Sequence, residues 1–200
     1  MHVELPALTD QQLDELQQSI SNEKRLRQAE KRKRMVLEEE RDIVYHYMDG
    51  FVMGLLWPDR WVLGANPGGP HVHGITKDAL DLSQRCNDAW REAFKSGIGE
   101  RVRLQLQIPD HLMRYSAGLK DTLMATLRIL LWSDGAIPDL GFEVGDHVAV
   151  DDSPTKGTII HKISLSTREF TIYLVKIKNE LNFVFRGGYD LRYYCEKKCA

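Results

Sequence analysis

The chain is short of cysteine and of long apolar runs. Its 200 residues include three cysteines, and so small and odd a count is a poor framework for disulfide bonds. The longest apolar stretches, residues 51–57 and 129–132, are far shorter than the roughly 20 residues that a membrane-spanning helix needs. No basic and apolar leader is recognisable in the first residues. We therefore expect a soluble protein of a reducing compartment, the cytoplasm, without a membrane partner.

The chain also lacks an excess of charge of either sign. It carries 27 Lys and Arg against 29 Asp and Glu, which gives a formal net charge of −2, and 42% of its residues are apolar. These values are ordinary for a globular protein and exclude a wholly disordered chain. They also argue against a nucleic-acid-binding protein that is basic throughout.

Catalytic signatures are absent as well. The glycine-rich stretch at residues 64–69 is not followed by the Lys-Ser/Thr pair of a phosphate-binding loop, and residues 97–99 lack the third glycine of a dinucleotide fingerprint. HExxH and G-x-S-x-G motifs do not occur. We therefore expect a protein that is not an enzyme and holds no cofactor or metal. Two pairs, His71 with His73 and Cys195 with Cys199, leave metal binding open.

A long helix is predicted at the start of the chain. Thr9 is a good N-cap, and Leu13, Leu16 and Ile20 follow at spacings of three and four. The apolar pattern then lapses, because residues 23–34 contain seven Lys or Arg and two Glu, and it returns from Val36 onward. A continuous helix would be about 60 Å long at 1.5 Å per residue. Either it breaks near residues 21–22, or its charged middle projects into solvent or against a partner.

More helix and then short strands are predicted downstream. A helix after Thr76 should stop at Gly97 and Gly99, the strict alternation of residues 101–108 predicts a strand, and leucines at helical spacing predict a core helix before residue 134. After Pro138 the runs become short and rich in β-branched and aromatic residues. They lie at 142–150, 157–164, 169–178, 181–186 and 191–194. This texture is typical of a small antiparallel barrel or sandwich.

The C-terminal part carries a resemblance to a known fold. Residues 142–150, FEVGDHVAV, followed by KGTI at 156–159, resemble the opening of SH3-like barrels, including KOW and Tudor-type modules. The resemblance covers about 55 residues and implies a fold rather than an activity. The prediction is therefore an α+β chain. Residues 1–138 would form a mainly helical domain with one added strand, and 139–200 a small antiparallel SH3-like β-barrel.

Two surfaces are candidates for binding. The first is the charged part of the long helix, where Arg27, Lys31 and Arg34 share one face, together with Trp57 and Trp61 beside the proline-rich loop. The second is a proposed basic face of the barrel, because interleaved basic and aromatic residues are typical of surfaces that bind single-stranded nucleic acid. Its members are Lys162, Lys176, Lys178, Arg186 and Arg192, beside Tyr173, Tyr193 and Tyr194.

These features favour a binding protein over an enzyme. The leading hypothesis is a non-enzymatic adaptor, assembly or inhibitor protein, of viral or host origin, whose partner is another protein or a second copy of the chain. The alternative is a nucleic-acid-binding accessory protein that uses the basic face of the barrel.

Overall fold

Three helices precede a five-stranded antiparallel sheet, which confirms the α+β class. The computed structural model describes residues 10–57, 77–108, 113–133, 135–150, 155–165, 170–178 and 181–193. The helices are α1 (Asp10–Leu56), α2 (Lys77–Arg103) and α3 (Met113–Leu131). The strands are β1 (His147–Val150), β2 (Lys156–Leu165), β3 (Phe170–Ile177), β4 (Phe183–Gly187) and β5 (Leu191–Tyr193), with a 3₁₀ turn at Gly188–Asp190 before β5.

Helix α1 runs through the charged region without a break. Residues 21–22, where a break was one of two predicted outcomes, are helical like their neighbours. The chain divides into two compact units, Met1–Glu39 and Glu40–Ala200, so the boundary falls inside α1. In the second unit the periodic apolar residues of α1 enter a core, with Met48, Phe51 and Leu55 almost fully buried.

Helices α1 and α2 approach each other closely at three glycines. A side chain on Gly50 would meet the carbonyl oxygen of Trp90, one on Gly54 that of Phe94, and one on Gly97 that of Phe51. Glycine lets two backbones approach where any Cβ would collide. This close approach explains why Gly97 does not end α2, contrary to the prediction. The packing outweighs the cost of glycine in a helix, about 1 kcal/mol relative to alanine.

The strand predicted at residues 101–108 is wrong, because α2 continues to Arg103. The helix then ends in a Schellman motif, in which the N–H of Leu106 donates to Arg101 O (3.1 Å) and that of Gln105 donates to Val102 O (3.0 Å). Gln105 takes the left-handed conformation of the motif, with φ 50°. Val102, which should have faced a core, is 71% exposed.

The sheet has the strand order β4-β3-β2-β1-β5, and every pair of neighbours is antiparallel. It is an open sheet with β4 and β5 at its edges, so the predicted closed barrel is not formed. The five strands otherwise lie close to the predicted runs. A register shift between Ile159 and His161 interrupts the pairing of β2 with β3.

Both faces of the sheet are covered along β3. Tyr173, Val175 and Ile177 point into a core that also contains Phe142 and Val148. The alternate residues of β3 point to the other face, where Phe170, Ile172 and Leu174 are buried as well and Lys176 is half-buried. On that side His161 stacks on Phe51 of α1, with ring centroids 4.5 Å apart, and β4 lies against α3. Helix α3 buries four leucines of the predicted stripe, Leu119, Leu123, Leu127 and Leu131, and leaves the fifth, Leu130, half-buried.

None of the helices in the described parts of the chain is both long enough and apolar enough to cross a bilayer.

Candidate interaction surfaces

The first half of α1 presents an uninterrupted exposed surface, which we call the exposed segment, residues 15–36. Every side chain in it is exposed. Between residues 23 and 34 it carries the seven Lys or Arg and two Glu noted above. Its large apolar side chains are also accessible: Leu16, Ile20, Leu26, Met35 and Val36. A helix with both kinds of group in solvent offers apolar contacts and ion pairs together.

The predicted cationic face lies on this segment. Arg27, Lys31 and Arg34 are all exposed, and their spacings of four and three place them on one side of the helix. Arg27 bonds to Glu23 one turn earlier, at 2.5 Å. This pair is open to water, and an exposed pair of this kind stabilises a helix by only about 0.3–0.5 kcal/mol. The charge of the segment therefore remains accessible to a partner.

The two tryptophans of the first candidate surface have different outcomes. Trp57 follows the last residue of α1, is half-buried, and donates its backbone N–H to Met53 O at 2.7 Å. Trp61 lies outside the described residues, as do His71, His73, Cys195, Cys199 and Tyr194.

Two members of the predicted basic face belong to a buried or paired network instead. Lys162 on β2 forms ion pairs with Glu143 (2.8 Å) and Asp139 (2.9 Å). The hydroxyl of Tyr173 on β3 donates to Asp139 at 2.6 Å, and the backbone N–H of Gly141 donates to the same carboxylate oxygen at 2.8 Å. We call Asp139, Glu143, Lys162 and Tyr173 the Asp139 clasp.

The clasp shifts the pKa of Asp139, Lys162 and Tyr173. The hydrogen bond from Tyr173, followed by that from Lys162, lowers the pKa of Asp139 to about 2. Bonds to Glu143 and Asp139 raise the pKa of Lys162. Burial, with the bond to Asp139, raises the pKa of Tyr173 to about 12. Near neutral pH, Lys162 stays charged and Tyr173 stays protonated, so neither is a ready nucleophile or base.

Tyr173 cannot serve as a stacking platform in this structure. Its side chain is fully buried, and its ring packs edge-on against Phe142 at 5.7 Å. A base could stack on it only if that core opened. The burial of Tyr173 therefore conflicts with its expected role in nucleic-acid binding, since a base can stack only on an exposed ring.

The strand register divides the predicted basic residues between the two faces of the sheet. The pairing register sets Lys162 and Arg186 opposite Tyr173, on the face of Tyr173. Lys176, three residues further along β3, points to the other face because strand side chains alternate. Arg186 is half-buried, and its guanidinium donates to Phe185 O at 2.9 Å.

A basic row crosses the sheet and joins two members of the predicted basic face, Lys178 and Arg192, to Lys156, which the sequence did not single out. Ala149 on β1 is paired with Lys156 on one side and Arg192 on the other. The N–H of Lys178 donates to Lys156 O at 2.8 Å, which continues the row beyond β2. Arg192, Lys156 and Lys178 thus form what we call the basic row. Lys156 was missed because only the strand register places it beside Arg192.

His161 connects the sheet with α1. Its ring stacks on Tyr47 (5.7 Å) as well as on Phe51, both of them one turn apart on the helix. Burial lowers the pKa of His161, and the negative charge of Glu100 opposes this shift only in part. The imidazole is therefore held neutral at the centre of a helix–sheet contact.

Comparisons with protein-family models, with curated proteins and with solved structures gave no match. Among the described residues, no three His, Cys, Asp or Glu side chains lie close enough together to hold a metal ion. A function for this chain is therefore inferred from the chemistry of its described surfaces.

Proposed function

We propose that this protein is a non-enzymatic adaptor or assembly protein, and that the exposed segment of α1 is its main contact with a protein partner. One observation carries the proposal: residues 15–36 form continuous helix while every side chain, apolar ones included, remains in solvent. Leu16 and Ile20 lie one turn apart on the same side of the helix, so together they offer an apolar contact to a partner.

The composition of the exposed segment favours a protein over a polyanion as the partner. Leu16 and Ile20 lie outside the cationic stretch, and their apolar side chains have no charge or hydrogen-bond donor for a phosphate group. Helix-in-groove recognition, in contrast, uses apolar anchors at helical spacing with charges on the rim. The charged residues then set the rate and specificity of association more than its strength.

The sheet supports a related proposal about its fold. The last strand, β5, returns to pair with the first, β1, while β2, β3 and β4 follow in order on the other side. A return of this kind is what a small barrel needs for closure. We infer that the sheet is an open variant of an SH3-like module, a type of fold that often serves binding.

The test is a charge reversal on the exposed segment with a matched control on the sheet. Arg27→Glu, Lys31→Glu and Arg34→Glu are combined in one variant, and Lys176→Glu, Lys178→Glu and Arg192→Glu in another. Proteins that co-purify with the full-length chain are quantified by mass spectrometry and then reconstituted from purified components. A specific partner should dissociate from the first variant and stay bound to the second. Equal retention in both would contradict the proposal.

The basic row supports a second candidate function, a nucleic-acid-binding accessory protein. Three cations at neighbouring register positions form a short track for phosphates. The matching test changes Lys156, Lys178 and Arg192 to Gln and leaves Lys162 intact. Binding to a generic single-stranded oligonucleotide should weaken, and its dependence on salt should flatten by about 0.7 in log–log slope for each phosphate that is no longer neutralised. Salt-insensitive binding would contradict this candidate.

A further inference from the structure

A line of residues that runs along the exposed segment and ends one residue beyond it has the spacing of a coiled-coil seam. Ile20, Glu23, Arg27, Glu30, Arg34 and Leu37 follow one another at alternating steps of three and four residues. This alternation places residues on the line along which two helices meet. The four charged members and Ile20 are exposed, and Leu37 is half-buried. The stripe ends there, because Arg41, the next residue in the series, is buried.

The order of charges along this stripe is self-complementary in one direction only. Three pairs, Arg27 with Glu30, Glu23 with Arg34, and Ile20 with Leu37, are centred on the same point between residues 28 and 29. An antiparallel second copy crossing at that point would therefore meet opposite charge at each inner level and an apolar residue at each outer level. A parallel copy in register would set Glu23 on Glu23 and Arg27 on Arg27, which is repulsive.

We propose that the protein forms an antiparallel homodimer through residues 20–37 of α1, with four Arg–Glu pairs in the middle and an Ile20–Leu37 contact at each end. The partner is a second copy of this chain, because its charge order is the complement that the stripe requires. This proposal deepens the proposed function by naming one occupant of the exposed segment.

The existing bond between Glu23 and Arg27 does not prevent this pairing. The guanidinium has five N–H donors in a planar fork, so Arg27 can keep Glu23 and also bind Glu30 of the second copy. Glu23 has two carboxylate oxygens, so it can bind Arg27 of its own chain and Arg34 of the second copy at the same time. Charged residues on a coiled-coil seam are costly to bury, and they fix orientation and register more than they add affinity. The dimer should therefore be weak and sensitive to salt.

Two double variants with identical composition test the pairing. Glu23→Arg with Arg34→Glu exchanges the members of one intermolecular pair, so every level stays complementary and the dimer should persist. Glu23→Arg with Arg27→Glu makes all four inner levels repulsive, and the dimer should weaken at least about tenfold. Both variants keep the net charge of the chain, so a nonspecific charge effect cannot separate them.

Local helix stability predicts the opposite ranking, which makes the comparison decisive. The pair-preserving variant creates like charges at positions 23 and 27 and at 30 and 34, whereas the pair-breaking variant keeps a salt bridge of reversed polarity at 23 and 27. Sedimentation equilibrium over a concentration series, at low and physiological salt, measures association, and circular dichroism measures helix content. A wild-type chain that stays monomeric throughout, or equal association of the two variants, would overturn the proposal.

Spin-label distances test the orientation. Single labels at Ser19→Cys or Leu26→Cys are placed in a chain whose own three cysteines are replaced. In the antiparallel pair the Ser19 labels should lie about 20 Å farther apart than the Leu26 labels, from a rise of 1.5 Å per residue. Equal distances would show a parallel pair and overturn the proposal. A monomeric chain that still loses a protein partner when Arg27, Lys31 and Arg34 are reversed would overturn the dimer and leave the proposed function standing.

Discussion

The two halves of α1 are one helix held by different forces. In residues 15–36 every side chain is exposed, whereas beyond residue 40 the same helix buries Met48, Phe51 and Leu55. The first half depends on helix propensity, since Lys, Arg, Glu, Gln and Ala dominate its sequence, and on local pairs such as Glu23–Arg27. The second half depends on tertiary packing, which supplies most helical stability in proteins.

The two halves of α1 show that a helix can be continuous without being packed into a core along its whole length. A sequence can specify an unbroken helix by propensity alone and leave its surface for another molecule. Single substitutions in the two halves of α1 and in the elements packed against it test this separation through the free energy of unfolding.

Removing a buried leucine from the second half should have the largest effect. Leu55 is fully buried, so Leu55→Ala removes apolar packing and leaves a cavity, which should lower the free energy of unfolding by about 2–5 kcal/mol. Urea denaturation followed by circular dichroism measures the change. If Leu55→Ala lowered the free energy of unfolding as little as the substitution of an exposed residue does, this half of α1 would not be packed as described.

Adding a methyl group at the helix crossing should come next, with a control of opposite sign. Gly97→Ala places a Cβ against the carbonyl oxygen of Phe51 and should cost about 1–3 kcal/mol through overpacking. Gly99, two residues on in the same helix, has open space around it. Gly99→Ala should therefore stabilise the protein by about 0.5–1 kcal/mol. Equal effects in the two variants would contradict the close approach of α1 and α2.

Acidification should weaken the contact between the second half of α1 and the sheet. Burial lowers the pKa of His161 in the folded chain, so the unfolded chain binds the proton first as the pH falls. The contribution of neutral His161 to the free energy of unfolding is therefore complete above the pKa of the unfolded chain, about 6.5, and declines as the pH falls below it. His161→Phe keeps an aromatic ring against Phe51 and should flatten the dependence of unfolding free energy on pH between neutrality and pH 5. An unchanged slope in this variant would assign the dependence to other groups.

The matching substitution in the first half should have the smallest effect. Leu26 is 67% exposed, so Leu26→Ala should change the free energy of unfolding by no more than about 0.5 kcal/mol. It replaces the same residue type in the same helix as Leu55→Ala, which makes the two denaturation curves directly comparable. A large decrease here would mean that the exposed segment packs against something in the isolated chain.

Elements with one clear periodicity could be predicted from the sequence. The leucine stripe of α3 and the short runs of the sheet lie close to where the pattern placed them, because each is buried along a face that its own spacing defines. The strand prediction for residues 101–108 was wrong because contacts with another helix, and not the spacing of its own apolar residues, decide the conformation there. Their alternation mimics a strand, but the bonds of Arg101 to the carbonyl oxygens of Leu55 and Leu56 (3.1 and 3.2 Å) favour the helical conformation of this segment.

The candidate surfaces could be predicted only in part. The exposure of Arg27, Lys31 and Arg34 follows from the lapse of apolar spacing around them. The face on which each sheet residue lies could not be predicted, because it depends on strand register and on the shift between Ile159 and His161. Composition alone therefore grouped Lys162 with Lys176 and left Lys156 out.

The connection between α3 and β1 has a consequence for dividing the chain into fragments. Ile137 bridges Phe170, and its carbonyl oxygen accepts the N–H of Thr171 at 2.6 Å, so this residue already belongs to the edge of the hydrogen-bonded network. A fragment that began at residue 139 would retain Asp139 but leave the Thr171 amide without its acceptor. A fragment that contains the sheet should therefore begin upstream of Ile137, because a cut after Pro138 would separate the strands from the residue that accepts the Thr171 N–H.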